Sequence, residues 1–268
     1  MLTCLPVFFL LAQAPEASPL PEGNAYVRAL VSRQQHREEA LNRYTYDVEE
    51  TLEQLDAKGL VGKTETGRYE VFHVKGRPIR KQVAQNGRPL EGAAALKEER
   101  RVKEKVDDVL DDRTTRELPE VRLSQVLARY DFQAVGREEV DGRPSLVFSF
   151  APVPGKRDLE ADFVLRRLAG RIWVDEEEQE LVRAELRNTE KIKIAFGLGA
   201  SVSSLEMTLA FRKIEDGVWL PSRILFGVSG KKFVFVGFKV RIRALHSRYR
   251  RFEANTERET IEPPPPKP

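Results

Sequence analysis

The chain has little of the chemistry that enzymes and metalloproteins use. It contains one cysteine, Cys4, and three histidines, His36, His73 and His246, which are not spaced as metal ligands. A single cysteine cannot form an internal disulfide. The motifs H-E-x-x-H, C-x-x-C and G-x-S-x-G are absent, and no glycine-rich loop has the pattern of a phosphate cradle. The sequence therefore predicts a protein that is not an enzyme and uses no metal and no cofactor.

The chain begins with an apolar run that carries no charge. Residues 5–14 have the length of the apolar region of a secretory signal, and they are too few to span a bilayer. The run ends in Ala12-Gln13-Ala14, which resembles an A-x-A cleavage site. We therefore expect residues 1–14 to be a signal peptide and the mature protein to be periplasmic, with no membrane span. A buried apolar N-terminal segment is the alternative.

Charges of both signs are spread along the chain and nearly cancel. Lysine and arginine together number 45, and aspartate and glutamate 42, which gives a net charge of +3. The arginines at 248, 250 and 251 are interpreted as a solvated strand edge, because this small net charge does not favour nucleic acid. Asp175, with the acidic residues 176–178 after it, is interpreted as a charged hairpin tip and not as a catalytic carboxylate.

The spacing of apolar residues predicts helices and strands in one domain. A proline-containing linker at 15–23 precedes a domain at 24–254, and a proline-rich, disordered tail follows at 255–268. Asn24 is the expected N-cap of a first helix that ends near residue 43. Helical spacing recurs at 95–112, with Val109 and Leu110 on the apolar side, and after Pro119. The expected strands are 44–52, 61–75, 78–85, 132–140, 144–150, 170–175, 181–186, and two longer ones around 205–211 and 234–242. Asn86-Gly87 and Asp141-Gly142 are expected to form hairpin turns.

Apolar and polar residues alternate along the two long strands, which predicts one dry and one wet face. Lys239, Arg241 and Arg243 would lie on the wet face. The dry face is the predicted ligand-binding interior, and its candidate residues are Leu205, Met207, Leu209, Phe211, Val234, Val236, Phe238 and Val240. Ordinary core packing beneath helices is the alternative interpretation of these side chains.

Several short phrases resemble the lipoprotein-localisation family, which contains the periplasmic carrier and outer-membrane receptor of bacterial lipoproteins and a related sensor domain. These phrases are residues 170–175 with 181–183, then 216–221, then 249–252. The resemblance covers residues 24–252. It implies an α+β fold: a strongly curved antiparallel sheet, an incomplete half-barrel, whose concave face is covered by helices. It also implies an apolar interior that receives acyl chains.

Three functions remain open from the sequence. The first is an exported, periplasmic carrier or binding protein for an apolar ligand, such as the acyl chains of a lipid or an acylated lipoprotein, held between the sheet and a helical lid. The second is a regulatory or scaffolding module that uses the same fold to contact an inner- or outer-membrane envelope protein. The third is a hydrolase with an unrecognised site. We expect a monomer that does not bind nucleic acid.

Overall fold

The computed structural model describes residues 18–113, 123–155, 162–194, 200–214, 217–232 and 236–251. The predicted signal peptide, the predicted tail and Val234 lie outside these ranges. The helices are α1 (Gly23–Leu41), α2 (Gly92–Leu110), α3 (Leu123–Leu127) and α4 (Asp162–Leu165). The strands are β1 (Tyr44–Leu55), β2 (Val61–Val74), β3 (Arg77–Gln85), β4 (Arg88–Pro89), β5 (Tyr130–Val140), β6 (Arg143–Pro152), β7 (Leu168–Asp175), β8 (Leu181–Asn188), β9 (Ile192–Ile194), β10 (Ala200–Lys213), β11 (Trp219–Lys232) and β12 (Val236–Arg251). No helix among the described residues is long and apolar enough to cross a membrane.

These strands form a single antiparallel sheet that is not closed into a barrel. Its order is β4-β3-β2-β1-β12-β11-β10-β8-β7-β6-β5, and β9 pairs with β10 beside this path. The first and last strands, β1 and β12, lie side by side in the middle of the sheet, with Tyr44 opposite Arg251. The end strands β4 and β5 do not pair with each other in the described part of the chain. The predicted fold class, an unclosed curved sheet with helices, is confirmed.

At two strand glycines a neighbouring backbone comes too close to leave room for a side chain. A Cβ atom on Gly170 would lie 1.8 Å from the carbonyl oxygen of Glu185, and one on Gly230 would lie 2.0 Å from that of Ser201. Real Cβ atoms do not approach a backbone oxygen so closely, so only glycine fits at either place. Register shifts in the β1–β12, β5–β6, β7–β8 and β10–β11 pairs add bends, since an extra residue on one strand of a pair increases the local twist.

Both expected hairpin turns are present. Asn86 and Gly87 have φ values of 48° and 76°, and Asp141 and Gly142 have 51° and 79°. A two-residue turn with positive φ at both positions matches the twist of the strands it joins, and asparagine, aspartate and glycine adopt this conformation most readily. A third turn of this kind, between β2 and β3, was not predicted from the sequence.

The main core lies between α1 and the strands β5 to β8, with contributions from β10 and β11. Phe148 and Val174 are both 0% exposed at its centre, and Val27 and Leu30 of α1 pack against this cluster. The ring of Tyr26 stacks on that of Phe148, with centroids 5.2 Å apart. Because α1 carries apolar residues one turn apart, its buried side fixes the position of the helix over the sheet.

Each end of the open sheet is capped by a helix. At β5, the side-chain oxygen of Asn24 accepts a hydrogen bond from the backbone N–H of Phe132 at 2.8 Å. Asn24 was expected to be the N-cap of α1, but this was wrong. Glu22 is the N-cap, and its carboxylate accepts bonds from the N–H groups of Asn24 and Ala25 at 3.0 and 2.5 Å. Asn24 is therefore free to satisfy a strand edge that has no neighbouring strand.

At the other end, α2 takes the place of a neighbouring strand beside β3. The Glu98 carboxylate accepts a bond from the N–H of Gln82 at 2.6 Å, and Arg101 donates to the carbonyl of Arg80 at 2.5 Å. Val109 is buried, whereas Leu110, expected on the same apolar side, is 49% exposed. Because α2 lies beside the edge of the sheet, ionic side chains anchor it and little apolar surface is needed.

The hairpin between β7 and β8 is organised around Asp175, which is buried with 1% of its surface exposed. Arg143 donates two hydrogen bonds to this carboxylate, at 2.5 and 3.1 Å, and the N–H groups of Glu177 and Glu178 donate two more, at 3.1 and 2.7 Å. Asp175 lies at the charged hairpin tip, as predicted, but its carboxylate is buried there, because these donors replace its water. Burial opposes its ionisation, but Arg143 and the N–H groups outweigh burial and hold the pKa of Asp175 below its ordinary value.

Glu178 extends this network to three further elements. Its carboxylate accepts bonds from the indole N–H of Trp219 at 2.8 Å, from Arg143 at 2.9 Å and from Lys213 at 3.0 Å. Arg33 of α1 donates to its backbone carbonyl at 3.3 Å. The Trp219 indole is the main cause of a lowered pKa at Glu178. The network therefore ties α1, β6, β10 and β11 to one hairpin.

Candidate functional sites on the two faces of the sheet

The register of the sheet shows which side chains share a face, because directly paired residues of neighbouring strands point the same way. One row across five strands is apolar throughout: Leu52, Ile242, Phe226, Met207 and Leu186. The next row on this face contains Val240, Val228 and Leu205. We call these eight side chains the apolar band. Each of them is half-buried.

Three of the predicted site residues, Leu205, Met207 and Val240, belong to the apolar band. The other five members of the band were not among the sequence candidates: Leu52, Leu186, Phe226, Val228 and Ile242. The alternation of Phe226 and Val228 in β11 was a usable signal. It was missed because Gly227 and Gly230 interrupt the pattern of that strand.

The remaining candidates lie elsewhere. Leu209 is on the same face as the apolar band, one row nearer the main core, and Phe211 is buried within that core. The ring of Phe238 packs over the glycine opposite it in β11. Val236 is 58% exposed at the start of β12, and Val234 lies outside the described residues. The structure therefore does not bring all eight predicted residues together.

None of the described helices has its main contacts with β10 or β12, the strands that carry half of the apolar band. α1 packs against β5, α3 and part of β11, whereas α2 packs against β2 and β3. The band is continuous with the main core at Leu186 and Leu209. A continuous, half-exposed apolar surface of this kind marks a place where a ligand or a partner can bind.

The opposite face of the same strands forms a cavity of about 1090 Å³, half-open to solvent, which we call the polar trough. Most of its lining residues form two neighbouring rows of directly paired residues; Leu186, Met207 and Phe226 of the apolar band, whose side chains point to the other face by register, also border it. The first row is Thr51, Arg243, Leu225, Thr208, Glu185, Arg171 and Ser149, and the second is Glu53, Arg241, Gly227, Glu206, Arg187 and Ala169. The alternation in the sequence placed Arg241 and Arg243 on the polar face correctly. It gave no sign that a cavity lies on this face.

An aromatic cluster lies beyond one end of the apolar band, on the same face. The ring of Tyr46 lies between those of His73 and His246, with centroid distances of 6.1 and 5.7 Å. Nδ1 of His246 is buried without a hydrogen-bond partner in the described part of the protein. Burial, and to a smaller extent the charge of Arg80, lowers the pKa of His246 from its ordinary 6.5 to about 4. Burial also lowers the pKa of His73.

This cluster predicts an acid-sensitive fold. Between pH 6.5 and 4 the unfolded chain takes up a proton at His246 that the folded chain does not, so the stabilisation present above pH 6.5 is lost as the pH falls. His246→Phe retains an aromatic ring and removes the titration. From pH 7 to pH 4.5, the free energy of unfolding measured in urea should fall by on the order of 2 kcal/mol more in the wild type than in the variant. Equal losses would contradict a neutral, buried His246, since the carboxylates titrate alike in both proteins.

No family model matches this chain, and no curated protein matches it. Its structure is similar to a domain from Vibrio parahaemolyticus described as an outer membrane lipoprotein-sorting protein domain, with 13% identity, a TM-score of 0.41, and coverage of 88% of this chain and 95% of that one. A DUF1329 family protein from Desulfovibrio piger has 12% identity, a TM-score of 0.41 and the same coverages, 88% and 95%. A LolA superfamily protein from Nitrosomonas europaea has 12% identity, a TM-score of 0.33, and coverages of 82% and 93%.

Proposed function

We propose that this protein is an exported, periplasmic binding protein that holds an apolar ligand on the apolar band. The ligand class is an acyl chain, carried by a lipid or by an acylated lipoprotein. The observation that carries the proposal is the continuous row of five half-buried apolar side chains. The band is built from central strands of the sheet, so its side chains are held in fixed positions before any ligand arrives.

The energetics of the band suit an acyl chain. Removing a methylene group from water contributes about 0.8 kcal/mol, and this contribution needs no directed hydrogen bond. The side chains are aliphatic apart from Phe226 and the flexible thioether of Met207, so the surface can follow a flexible chain closely. The first row crosses four strand intervals, or about 19 Å, which is comparable to the length of an extended long acyl chain.

A protein partner is the second candidate function. The same half-exposed band could bury apolar side chains of an envelope protein, in a regulatory or scaffolding complex. This alternative is favoured by the openness of the band, because small-molecule sites usually enclose most of their ligand. The two candidates differ in a measurable way, since only the first requires binding of a free fatty acid.

The test replaces the directly paired Val228 and Val240 by threonine. Threonine keeps the β-branched shape and the strand preference of valine, but its hydroxyl must be desolvated beneath an apolar ligand. We expect the double variant to bind a fluorescent long-chain fatty acid about tenfold or more weakly than the wild type, from a cost of about 1–3 kcal/mol for each buried hydroxyl.

The matched control is Val135→Thr in β5, because Val135 is 49% exposed and lies outside the band. Its affinity for the fatty acid should equal that of the wild type. The proposal fails if the wild type binds no fatty acid, or if the double variant is folded and binds it as tightly as the wild type does. Either result would favour the protein-partner function.

A further inference from the structure

We propose that the polar trough is a second binding site, distinct from the apolar band, and that its ligand is an extended acidic segment of a partner polypeptide. The trough and the band lie on opposite faces of the same strands, so one small ligand cannot fill both. A binding site in the trough therefore goes beyond the proposed function, and the two sites can be tested independently.

The shape of the trough fits an extended chain. Its first row crosses seven strands, which is six strand intervals or about 29 Å. An extended peptide of about nine residues has this length. At mid-floor, a Cβ on Gly227 would meet nothing within 4 Å, so the centre of the trough is open. Thr51, Thr208 and Ser149 supply hydroxyl groups along the floor that can bond to a peptide backbone.

The ion pairs of the trough leave two arginines available. Arg241 is paired with Glu53 at 2.6 Å. Arg171 lies at the 4.0 Å limit from Glu138. Arg187 and Arg243 are exposed to solvent in the trough and have no carboxylate within salt-bridge distance among the described residues. These two side chains can donate hydrogen bonds to carboxylates of a partner.

The acidic residues of the trough narrow the choice of ligand. Glu185 is already paired with Arg183, but Glu206 faces the trough without an ion pair in the described part of the chain. Four arginines and three glutamates line the trough. A densely charged polyanion would place negative charge beside all three glutamates, whereas a peptide with two separated carboxylates would place charge only near Glu206, the direct cross-strand neighbour of Arg187.

The strand spacing also predicts the spacing of the ligand's charges. Arg187 in β8 and Arg243 in β12 are three strand intervals apart, about 14 Å, and lie in different rows, which adds about 7 Å along the strands. Their Cα atoms are therefore about 16 Å apart, and glutamates four apart in an extended chain, at about 13 Å, can reach both guanidinium groups through their flexible side chains. The trough is therefore complementary to a segment in which two acidic residues are separated by three neutral ones.

The test uses a labelled peptide of about ten residues with two glutamates four positions apart among serine, threonine and glycine. The wild type should bind it, and binding should weaken as salt is raised. Arg187→Gln combined with Arg243→Gln should lower the affinity at least about tenfold and remove most of the salt dependence. Gly227→Leu, which fills the floor without changing charge, should also weaken binding.

Matched controls separate the geometry from the net charge. Arg28→Gln combined with Arg100→Gln removes the same charge from exposed helix positions outside the trough and should leave peptide affinity unchanged. A peptide with the two glutamates adjacent should bind more weakly than the spaced peptide. Fatty-acid binding should be the same in the wild type and in Arg187→Gln/Arg243→Gln, which separates this site from the apolar band.

Three outcomes would overturn the inference. One is no binding of the spaced peptide by the wild type. Another is equal peptide affinity in the folded Arg187→Gln/Arg243→Gln variant. The third is that the Arg187→Gln/Arg243→Gln variant still binds the peptide but no longer binds phosphatidylglycerol vesicles. That result would assign these arginines to binding an anionic lipid surface.

Discussion

Replacing Phe148 with alanine is expected to lower the free energy of unfolding by about 3 to 5 kcal/mol. The side chain is 0% exposed at the centre of the main core, where it lies between the sheet and α1. Its removal loses the transfer energy of the ring and leaves a cavity that neighbouring β-strands cannot close, because their backbones are fixed by cross-strand hydrogen bonds. Denaturant unfolding measures the effect directly.

The same variant should loosen α1, because Phe148 stacks on Tyr26 of that helix. Hydrogen exchange should become faster in α1 than in β1, which has its own strand neighbours on both sides. Val61→Ala is the control, since Val61 is 47% exposed and should change stability by less than about 0.5 kcal/mol. A Phe148→Ala protein as stable as this control would mean that the core does not lie between α1 and the sheet.

Asp175→Ala is expected to cost about 3 kcal/mol, near the lower end of the range for breaking a buried ion pair. The lower end applies because the Arg143 side chain is 34% exposed and water can reach part of it. The substitution leaves Arg143 and the N–H groups of Glu177 and Glu178 without their acceptor. Asp175→Asn should cost less, since its amide oxygen still accepts from the turn while the charge is lost.

At low pH, the free energies of unfolding of Asp175→Ala and the wild type should differ less than at neutral pH. The folded-state pKa of Asp175 is lowered, so its stabilising contribution is present at neutral pH and is lost as the pH falls below about 4 through the folded pKa. Unfolding measured at pH 7 and near pH 3 tests this sign. Glu177→Ala is the matched control, because the Glu177 side chain is 87% exposed in the same turn and should have little effect at either pH. A constant difference across pH would contradict an ionised, buried Asp175.

Local features of this fold could be predicted from the sequence. The turns at 86–87 and 141–142 depend on the conformations of two residues each, and both are present. Strand alternation separated Val240 and Ile242 from Arg241 and Arg243, because side chains in a strand point to opposite faces wherever it packs. For the candidate site, the same rule found part of the apolar band.

Features that depend on distant residues could not be predicted. Asp175 can be buried because Arg143, in another strand, donates hydrogen bonds to it. No sequence pattern near Asp175 predicts this long-range ion pair. The cavity of the polar trough is lined by residues from seven strands, which the pattern of any one strand does not reveal. Asparagine is a residue type that is favoured at N-caps. The side chain of Asn24 nevertheless accepts a hydrogen bond from the edge of β5, because Glu22 already caps the helix. In each case a tertiary partner outweighed a local preference.

The position of the last strand constrains the order in which this protein can fold. The N-terminal hairpins β1 to β4 grow outward from the middle of the sheet, whereas the strands from β5 onward grow inward from the far end. The two halves join only when β12, made last, reaches β1, made first. Until then β1 and β11 each present an unpaired edge that can recruit another chain. This late, long-range closure predicts slow folding, and it makes the time between synthesis of β1 and arrival of β12 the period of greatest risk of aggregation.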